Sequence, residues 1–243
     1  MGPERAPGLL AGDTFNLRLA RRSLGLLALC LILLPFADLA VTTHDPWTEL
    51  GRMLDGLLRP DFLATESLAH AIALTVGFAL WGTLLGMLLG FPLALLFHRS
   101  RLVRGGCAFV RAIHELFWAL LLLQVFGLSA VTAIAALALP YASIFAKVYA
   151  EILELTPRAP VDALPERTGR LSRFAYAELP MVWARLAGYT RYRFECAMRS
   201  SVLLGFVGLP TLGFHLESAF REGRYAEAGA LLWMFYLLIA SLG

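Results

Sequence analysis

Long apolar runs separated by short polar segments dominate this chain, and each run predicts a helix. A helix needs about 20 largely apolar residues to cross a bilayer. The pattern therefore predicts an all-α, polytopic membrane protein with six spans: Leu24–Val41, Leu68–Phe97, Ile113–Leu128, Val131–Ala150, Met181–Val207 and a run that starts near Ala228. Between the first two spans, apolar residues recur at helical spacing over Trp47–Leu58, which predicts a helix lying in the membrane interface.

The positions of the basic residues predict the orientation of these spans. Lys and Arg near the ends of spans are more frequent on the cytoplasmic side of a membrane. Thirteen of them fall in the N-terminal segment and in the loops after the second and fourth spans, against four in the other loops. We therefore expect residues 1–23 to form a cytoplasmic segment. Residues 24–243 are expected to form a single transmembrane domain with a cytoplasmic loop at 151–180.

Composition supports a membrane protein and argues against several other functions. Hydrophobic residues make up 58% of the chain and charged residues 16%, whereas soluble domains carry about 25% charged residues. No basic face with interleaved aromatic residues indicates nucleic-acid binding. The three cysteines, Cys30, Cys107 and Cys196, lack metal-ligand spacing. With no phosphate-binding glycine loop and no nucleophile–base arrangement, we expect no catalytic residue and no bound metal.

The second predicted span carries a regular row of glycines. Gly82, Gly86 and Gly90 follow each other at four-residue spacing and so lie on one face of a helix. Small residues at this spacing let a second helix approach closely, which is a main source of helix association in lipid. We predict that this row is a helix-packing face.

The fifth predicted span carries charged residues far along an apolar helix, where charges are expensive. On a helical wheel, Arg191 and Arg199 lie about 40° to either side of Glu195, whereas Arg193 lies about 160° away. The polar stripe therefore consists of Arg191, Glu195 and Arg199 with Gly188 and Tyr192, and Ser200 and Ser201 come directly after Arg199 in the chain.

Two interpretations of these charges are open. In the first, Glu195–Arg199 and Arg111–Glu115 are buried ion pairs that hold the helices in register. In the second, Arg199 faces a solute path and attracts an anion, which its planar guanidinium binds with two hydrogen bonds. The candidate path residues are then Arg199, Glu195, Ser200, Ser201, Arg191 and Glu115. A proton relay through His114 is a further hypothesis.

The loop after the fourth span resembles the coupling loop of binding-protein-dependent ABC importer permeases. It reads VDALPERTGRLSRFAYAELP from Val161 to Pro180. The resemblance rests on the acidic start Asp162-Ala163-Leu164, on Gly169 with Arg170 after it, and on Leu179-Pro180 at the close. Such a loop forms a rigid knob that fits a groove on an ATPase. The spacing on both sides of Gly169 departs from the family's pattern, and Pro165 interrupts the first short helix.

Three further stretches are similar to the phosphonate ABC transporter permease family. They are RAIHELFWALLLLQ at 111–124, AKVYAEILE at 146–154 and YRFECAMRSSVLLGFVG at 192–208. The most specific part is Arg199-Ser200-Ser201 followed by Gly205 and Gly208. Together the similar stretches cover roughly residues 65–240.

The resemblance implies the all-α membrane core of a type I ABC importer in the bacterial inner membrane. It implies three kinds of protein partner: cytoplasmic ATP-binding subunits that carry ATP and Mg, a second permease half, and a periplasmic solute-binding protein. This chain would bind no cofactor of its own. The implied solute is a phosphonate or a related phosphorus oxyanion such as phosphite.

Three alternatives remain at this stage: an ABC permease for another small solute, a secondary transporter, and a non-transporting scaffold half. Deletion of Asp162–Arg173 separates the secondary transporter from the others, because such a carrier needs no coupling loop. The last apolar run continues to Gly243 without a polar anchor. We therefore expect that the chain is one half of a longer or fused permease.

Overall fold

The computed structural model describes residues 11–33, 45–65, 67–157, 165 and 169–241, and the regular secondary structure in these ranges is all helical. Contacts divide the chain into two units, Met1–Glu49 and Leu50–Gly243. The helices are α1 (Ala11–Leu33), α2 (Pro46–Leu58), α3 (Leu68–Phe97), α4 (Arg101–Ala112), α5 (Glu115–Phe126), α6 (Ala130–Glu154), α7 (Arg170–Arg173), α8 (Leu179–Leu203), α9 (Leu212–Arg221) and α10 (Tyr225–Ala240). A π-helical turn at Phe174–Glu178 precedes α8, and a 3₁₀ turn at Leu204–Val207 follows it.

The first unit contains α1 and the start of α2. Helix α1 ends at Leu33, and the rest of the predicted span Leu24–Val41 lies outside the described residues. Asp45 caps α2, because its carboxylate accepts hydrogen bonds from the Thr48 amide at 3.3 Å and from the Thr48 hydroxyl at 2.5 Å. The helix predicted over Trp47–Leu58 is therefore confirmed, with one additional residue at its start.

Helices α3 and α6 are long and apolar enough to cross a membrane on their own. Helix α3 confirms the second predicted span with the same bounds, and α6 confirms the fourth predicted span. Two further candidates are pairs of helices with a bend between them: α4 with α5 at 94°, and Phe174–Val207 with α9 at 50°. If each bent pair crosses the membrane as one span, the described residues contain four spans at most. Helix α10 has 16 residues and is about 24 Å long, shorter than the ~30 Å hydrocarbon core. The described residues therefore hold fewer than the six predicted spans.

The predicted span Ile113–Leu128 is wrong in its geometry. The structure has instead the 12-residue helix α5, which is turned by 94° from α4. His114 begins α5, where its Nδ1 accepts a hydrogen bond from the Leu116 amide at 3.2 Å. The Trp118 indole donates across the bend to the Val110 carbonyl at 3.1 Å. The first contact satisfies an amide in the first turn of α5, which has no helical partner, and the second connects the two helices across the bend.

The core of the second unit lies between α3 and α6. A Cβ built on Gly82, Gly86 or Gly90 would lie 2.6–2.7 Å from the Cβ of Leu137, Tyr141 or Phe145, respectively. The glycine row of α3 therefore faces α6 at a separation that leaves no room for a side chain. Tyr141, Phe145 and their neighbours on α6 are almost fully buried as a result.

Gly86→Ala is expected to destabilise this contact by about 1–2 kcal/mol, within the range for overpacked cores. The added methyl group would meet the Tyr141 Cβ and the α6 backbone. Gly77→Ala is the matched control, because Gly77 lies on the same helix with nothing within 4 Å of a Cβ. Thermal unfolding of the detergent-solubilised protein measures the difference. Equal melting temperatures for the two variants would contradict the close α3–α6 packing.

A second close crossing joins α2 to α10. A Cβ on Gly56 would collide with the Tyr225 backbone, and a Cβ on Gly229 would collide with the Gly56 carbonyl. The Trp233 indole donates a hydrogen bond to the Leu57 carbonyl at 2.9 Å. These contacts fix the end of α2 against the start of α10.

Candidate functional site

Helix α8 presents its predicted charged stripe away from the packed core. Arg191 and Arg199 are exposed, and the Arg191 Nε lies 3.7 Å from the Glu195 Oε1. The opposite face buries Val182, Leu186 and Ala197 against α3 and α6. The stripe therefore lines a surface of the chain and not its interior.

The two ion pairs of the structural interpretation are not formed. Glu195 pairs with Arg191, and no ion pair of Arg199 is present among the described residues. Arg111 and Glu115 are four residues apart, but this spacing brings side chains together only on a continuous helix. The 94° bend between α4 and α5 separates them. Arg111 is exposed, and Glu115 has other partners.

A polar cluster lies where α5, α6 and α8 meet. The Ser200 hydroxyl donates a hydrogen bond to the Glu115 Oε1 at 2.5 Å and lies 3.4 Å from the Tyr141 hydroxyl. Tyr141 is 1% exposed and Ser200 is 7% exposed, whereas the Glu115 side chain is 20% exposed. One polar chain thus runs from the buried centre of the bundle to a partly exposed carboxylate.

Arg193 completes this cluster. Its guanidinium carbon lies 4.2 Å from the centre of the Tyr141 ring, which is cation–π geometry. The Arg193 Nε is buried and has no hydrogen-bond partner among the described residues. We call Glu115, Tyr141, Arg193 and Ser200 the Tyr141 cluster.

The other predicted path residues lie elsewhere. Ser201 is fully buried, and its hydroxyl donates to the Met198 carbonyl of its own helix at 2.8 Å. His114 caps α5, and its Nε2 lies 3.9 Å from the Glu115 Oε2. The six predicted path residues therefore separate into the charged stripe of α8, the Ser200–Glu115 pair in the Tyr141 cluster and one serine that bonds its own helix.

The predicted coupling loop is described only in part. Asp162, Ala163 and Leu164 lie outside the described residues. Gly169 accepts a hydrogen bond at its carbonyl from the Arg173 amide at 2.9 Å, and Arg170 begins α7. Pro180 is exposed in the first turn of α8. The described ranges contain no group of three or more His, Cys, Asp or Glu side chains that could hold a metal ion.

The sequence interpretation missed Tyr141 and Arg193. One signal for Arg193 was present: it lies seven residues before Ser200, and this spacing puts both on one helix face. Tyr141 follows Pro140 in an apolar run and carries no local signal of a polar role. Only the packing of α6 against α8 brings its hydroxyl to Ser200.

Comparison with solved structures identifies the fold. The chain is similar to the crystal structure of an amino acid ABC transporter with histidines, with a TM-score of 0.62 and 13% sequence identity. The match covers 82% of this chain and 95% of the solved chain. At this identity the similarity shows the fold alone, and the predicted all-α permease fold is confirmed. No protein-family model matches the chain.

The chain is similar in sequence to several transport permeases. The phosphate-import permease protein PhnE of Mycolicibacterium smegmatis is 29% identical over 198 residues, which are 78% of this chain and 36% of the relative. The phosphite transport system permease protein PtxC of Stutzerimonas stutzeri is 26% identical over 209 residues, 82% of this chain and 76% of the relative. The cryptic phosphonate transport system permease protein PhnE2 of Escherichia coli K12 is 30% identical over 101 residues, 41% of this chain and 82% of the relative.

These relatives are permease components of transporters. The chain spans 36% of the length of the Mycolicibacterium protein but 82% of the Escherichia coli protein, to which it is 30% identical. The apolar helices α3 and α6 agree with a multi-pass membrane protein. The chain belongs to the family of phosphonate- and phosphite-type ABC transporter permeases.

Proposed function

We propose that this chain is the membrane-spanning subunit of an ATP-driven importer for phosphonates or a related phosphorus oxyanion such as phosphite. The names of two relatives, a phosphite and a phosphonate transport permease, support this solute class. Phosphate is the second candidate, because the Mycolicibacterium relative is named a phosphate-import permease. The proposed location is the bacterial inner membrane, with the N-terminus in the cytoplasm.

The observation that carries the proposal is the exposed charged stripe of α8. Glu195 neutralises Arg191 within the stripe, whereas Arg199 is an exposed cation. A charge on a helix of a membrane protein usually faces a water-filled cavity or a partner. A second permease half that packs against this surface would enclose the stripe and form a path with it. Arg199 would then offer two parallel N–H groups to an oxyanion.

Membership of the family supports the remaining partners. Cytoplasmic ATP-binding subunits would hydrolyse ATP with their own Mg, and this chain would carry neither cofactor. They would act through Asp162–Arg173, whose end leads into the π-helical turn before α8. Because the turn is continuous with α8, movement of the loop would move the charged stripe. A periplasmic solute-binding protein would deliver the solute from the other side.

ATPase stimulation in the reconstituted complex tests the proposal. The chain is co-purified with its partner subunits, placed in proteoliposomes with the solute-binding protein, and exposed to methylphosphonate, phosphite, phosphate, sulfate and amino acids. We expect methylphosphonate or phosphite to raise ATP hydrolysis several-fold, with sulfate and amino acids at the basal rate. Stimulation by amino acids alone would leave an ABC permease for another solute. Failure to co-purify with any nucleotide-binding subunit would contradict the ABC architecture.

Arg199→Ala is the second arm of this experiment. We expect loss of stimulated uptake, because the variant removes the exposed cation of the stripe. Arg185→Ala is the matched control, since Arg185 is also exposed on α8 but precedes the stripe. Unchanged uptake in the Arg199 variant would favour the reading in which this chain only scaffolds an active second half.

A further inference from the structure

Within the Tyr141 cluster, Arg193 has no ion-pair partner among the described residues. Arg193 lies near the middle of the Phe174–Val207 segment, with the Tyr141 ring as its observed partner. A cation–π contact offsets only part of the free-energy cost of removing an arginine charge from water. The Arg193 Nε has no hydrogen-bond partner within the described residues. The Arg193 side chain as a whole is partly exposed, so an acceptor from outside the chain can approach it.

The same cluster also offers an acceptor. One oxygen of Glu115 accepts the Ser200 hydrogen bond, while the other lies 3.9 Å from the His114 Nε2. An ionised carboxylate has about four lone-pair sites and no donor. It repels a fully deprotonated anion but attracts one that still carries an acidic hydrogen. A cation and a carboxylate that flank one tyrosine thus favour an oxyanion bearing a hydroxyl group.

We propose that the Tyr141 cluster is a selectivity site for protonated phosphorus oxyanions, in which Arg193 binds the charged oxygens and Glu115 accepts the P–OH hydrogen. The Ser200 hydroxyl holds the Glu115 carboxylate in place through its hydrogen bond. Sulfate is rejected because it carries no hydrogen at neutral pH. This inference rests on the proposed function and assigns part of its specificity to residues outside the charged stripe of α8.

Access to the site agrees with this role. Tyr141 and Ser200 are buried, whereas Glu115 and Arg193 are partly exposed. The two charged groups can therefore meet a solute while the two hydroxyls hold the helices around them. Ser200 belongs to α8, so movement of that helix would break or form the Ser200–Glu115 hydrogen bond. Solute binding and the position of α8 are linked through this contact.

The test uses two probes of equal charge. Methylphosphonate monoanion carries a P–OH group, and its O-methyl monoester carries a P–OCH₃ group in the same position. The full chain, with the subunits that co-purify with it but without the solute-binding protein, is embedded in nanodiscs. Saturation-transfer NMR then reports binding through the P–CH₃ protons that both probes share.

For the wild type we expect binding of methylphosphonate at least about tenfold stronger than that of the ester, the effect of one charged hydrogen bond. Arg193→Gln should lose binding of both probes, and Arg193→Lys should keep part of it. Arg185→Gln should match the wild type. Glu115→Gln should bind the ester as well as methylphosphonate, because an amide donates to an ester oxygen and does not repel it.

Two results would overturn the inference: equal binding of the two probes by the wild type, or unchanged binding in Arg193→Gln. If one of these results is found but methylphosphonate still stimulates ATP hydrolysis in the complex, the proposed function is retained and only the assignment of the site is wrong. If methylphosphonate neither binds to the protein nor stimulates ATP hydrolysis, the proposed function and the assignment of the site are both wrong. Thermal unfolding of each variant identifies misfolded protein, and Glu115→Gln tests the site independently of Arg193.

Discussion

Gly213→Ala is expected to prevent stable packing at the bend between α8 and α9. A Cβ at position 213 would collide with the Val202 carbonyl, which is backbone and cannot rotate away. Gly205 faces the same crossing, because its Cβ would collide with the backbone of Gly213 and Phe214. The two segments therefore touch backbone to backbone. We expect a loss at or above the ~3 kcal/mol upper end for overpacked sites.

The measurement is the thermal midpoint of the detergent-solubilised protein, followed by size-exclusion chromatography of the heated sample. Gly188→Ala is the control, because Gly188 lies on α8 with nothing within 4 Å of a Cβ. Alanine is favoured over glycine by about 1 kcal/mol in a helix interior, so the control should be neutral or stabilised. A wild-type midpoint for Gly213→Ala would show that α9 does not cross the end of α8 as described.

This bend also explains two glycines that carry the family resemblance. Gly205 lies in the 3₁₀ turn after α8, where α9 leaves no room for a side chain. Gly208 ends that turn with φ of +100°, a conformation that glycine adopts without a steric penalty. Both glycines are required by the path of the backbone. Their presence therefore indicates the fold and carries no information about the solute.

Helix positions were predictable where an apolar run coincides with one straight helix. The run Leu68–Phe97 has polar residues at both ends, so its limits could be read from the pattern. The run from Ile113 to Leu128 is equally apolar but is part of a bent pair, because His114 starts a new helix and Trp118 bonds back to Val110. The hydrophobicity of a run of residues indicates that the run is buried in lipid or protein. It does not indicate whether the helix stays straight or bends. The 94° bend could not be predicted for this reason.

The site was predictable only in part. The helical repeat placed Arg191, Glu195 and Arg199 on one face, and the structure keeps them together. The repeat does not say which face packs, because lipid-facing and protein-facing surfaces of a membrane helix are equally apolar. Arg193 therefore looked like an outlier, although it lies on the packed side over Tyr141. Contacts between helices that are distant in the sequence determine which face of α8 packs, and these contacts leave no local sequence pattern.

Glu227→Ala is expected to destabilise the second unit by about 2–3 kcal/mol, somewhat less than the loss of one partner of a fully buried ion pair. Glu227 is 5% exposed, accepts a hydrogen bond from the Thr65 hydroxyl at 2.8 Å and pairs with Arg224. It also lies in the first turn of α10, where a negative charge interacts favourably with the helix dipole. The variant removes all three interactions and leaves a cavity.

Glu222→Ala separates burial from charge, because Glu222 pairs with the same arginine at 2.9 Å but is 60% exposed. An exposed pair contributes at most about 1 kcal/mol, so this variant should unfold near the wild-type temperature. When Glu227 is removed, Arg224 still pairs with Glu222. The expected loss of stability is therefore smaller than that caused by leaving a charge without any partner. Equal destabilisation by the two variants would mean that the net charge at the start of α10 matters and that the buried contact with Thr65 does not.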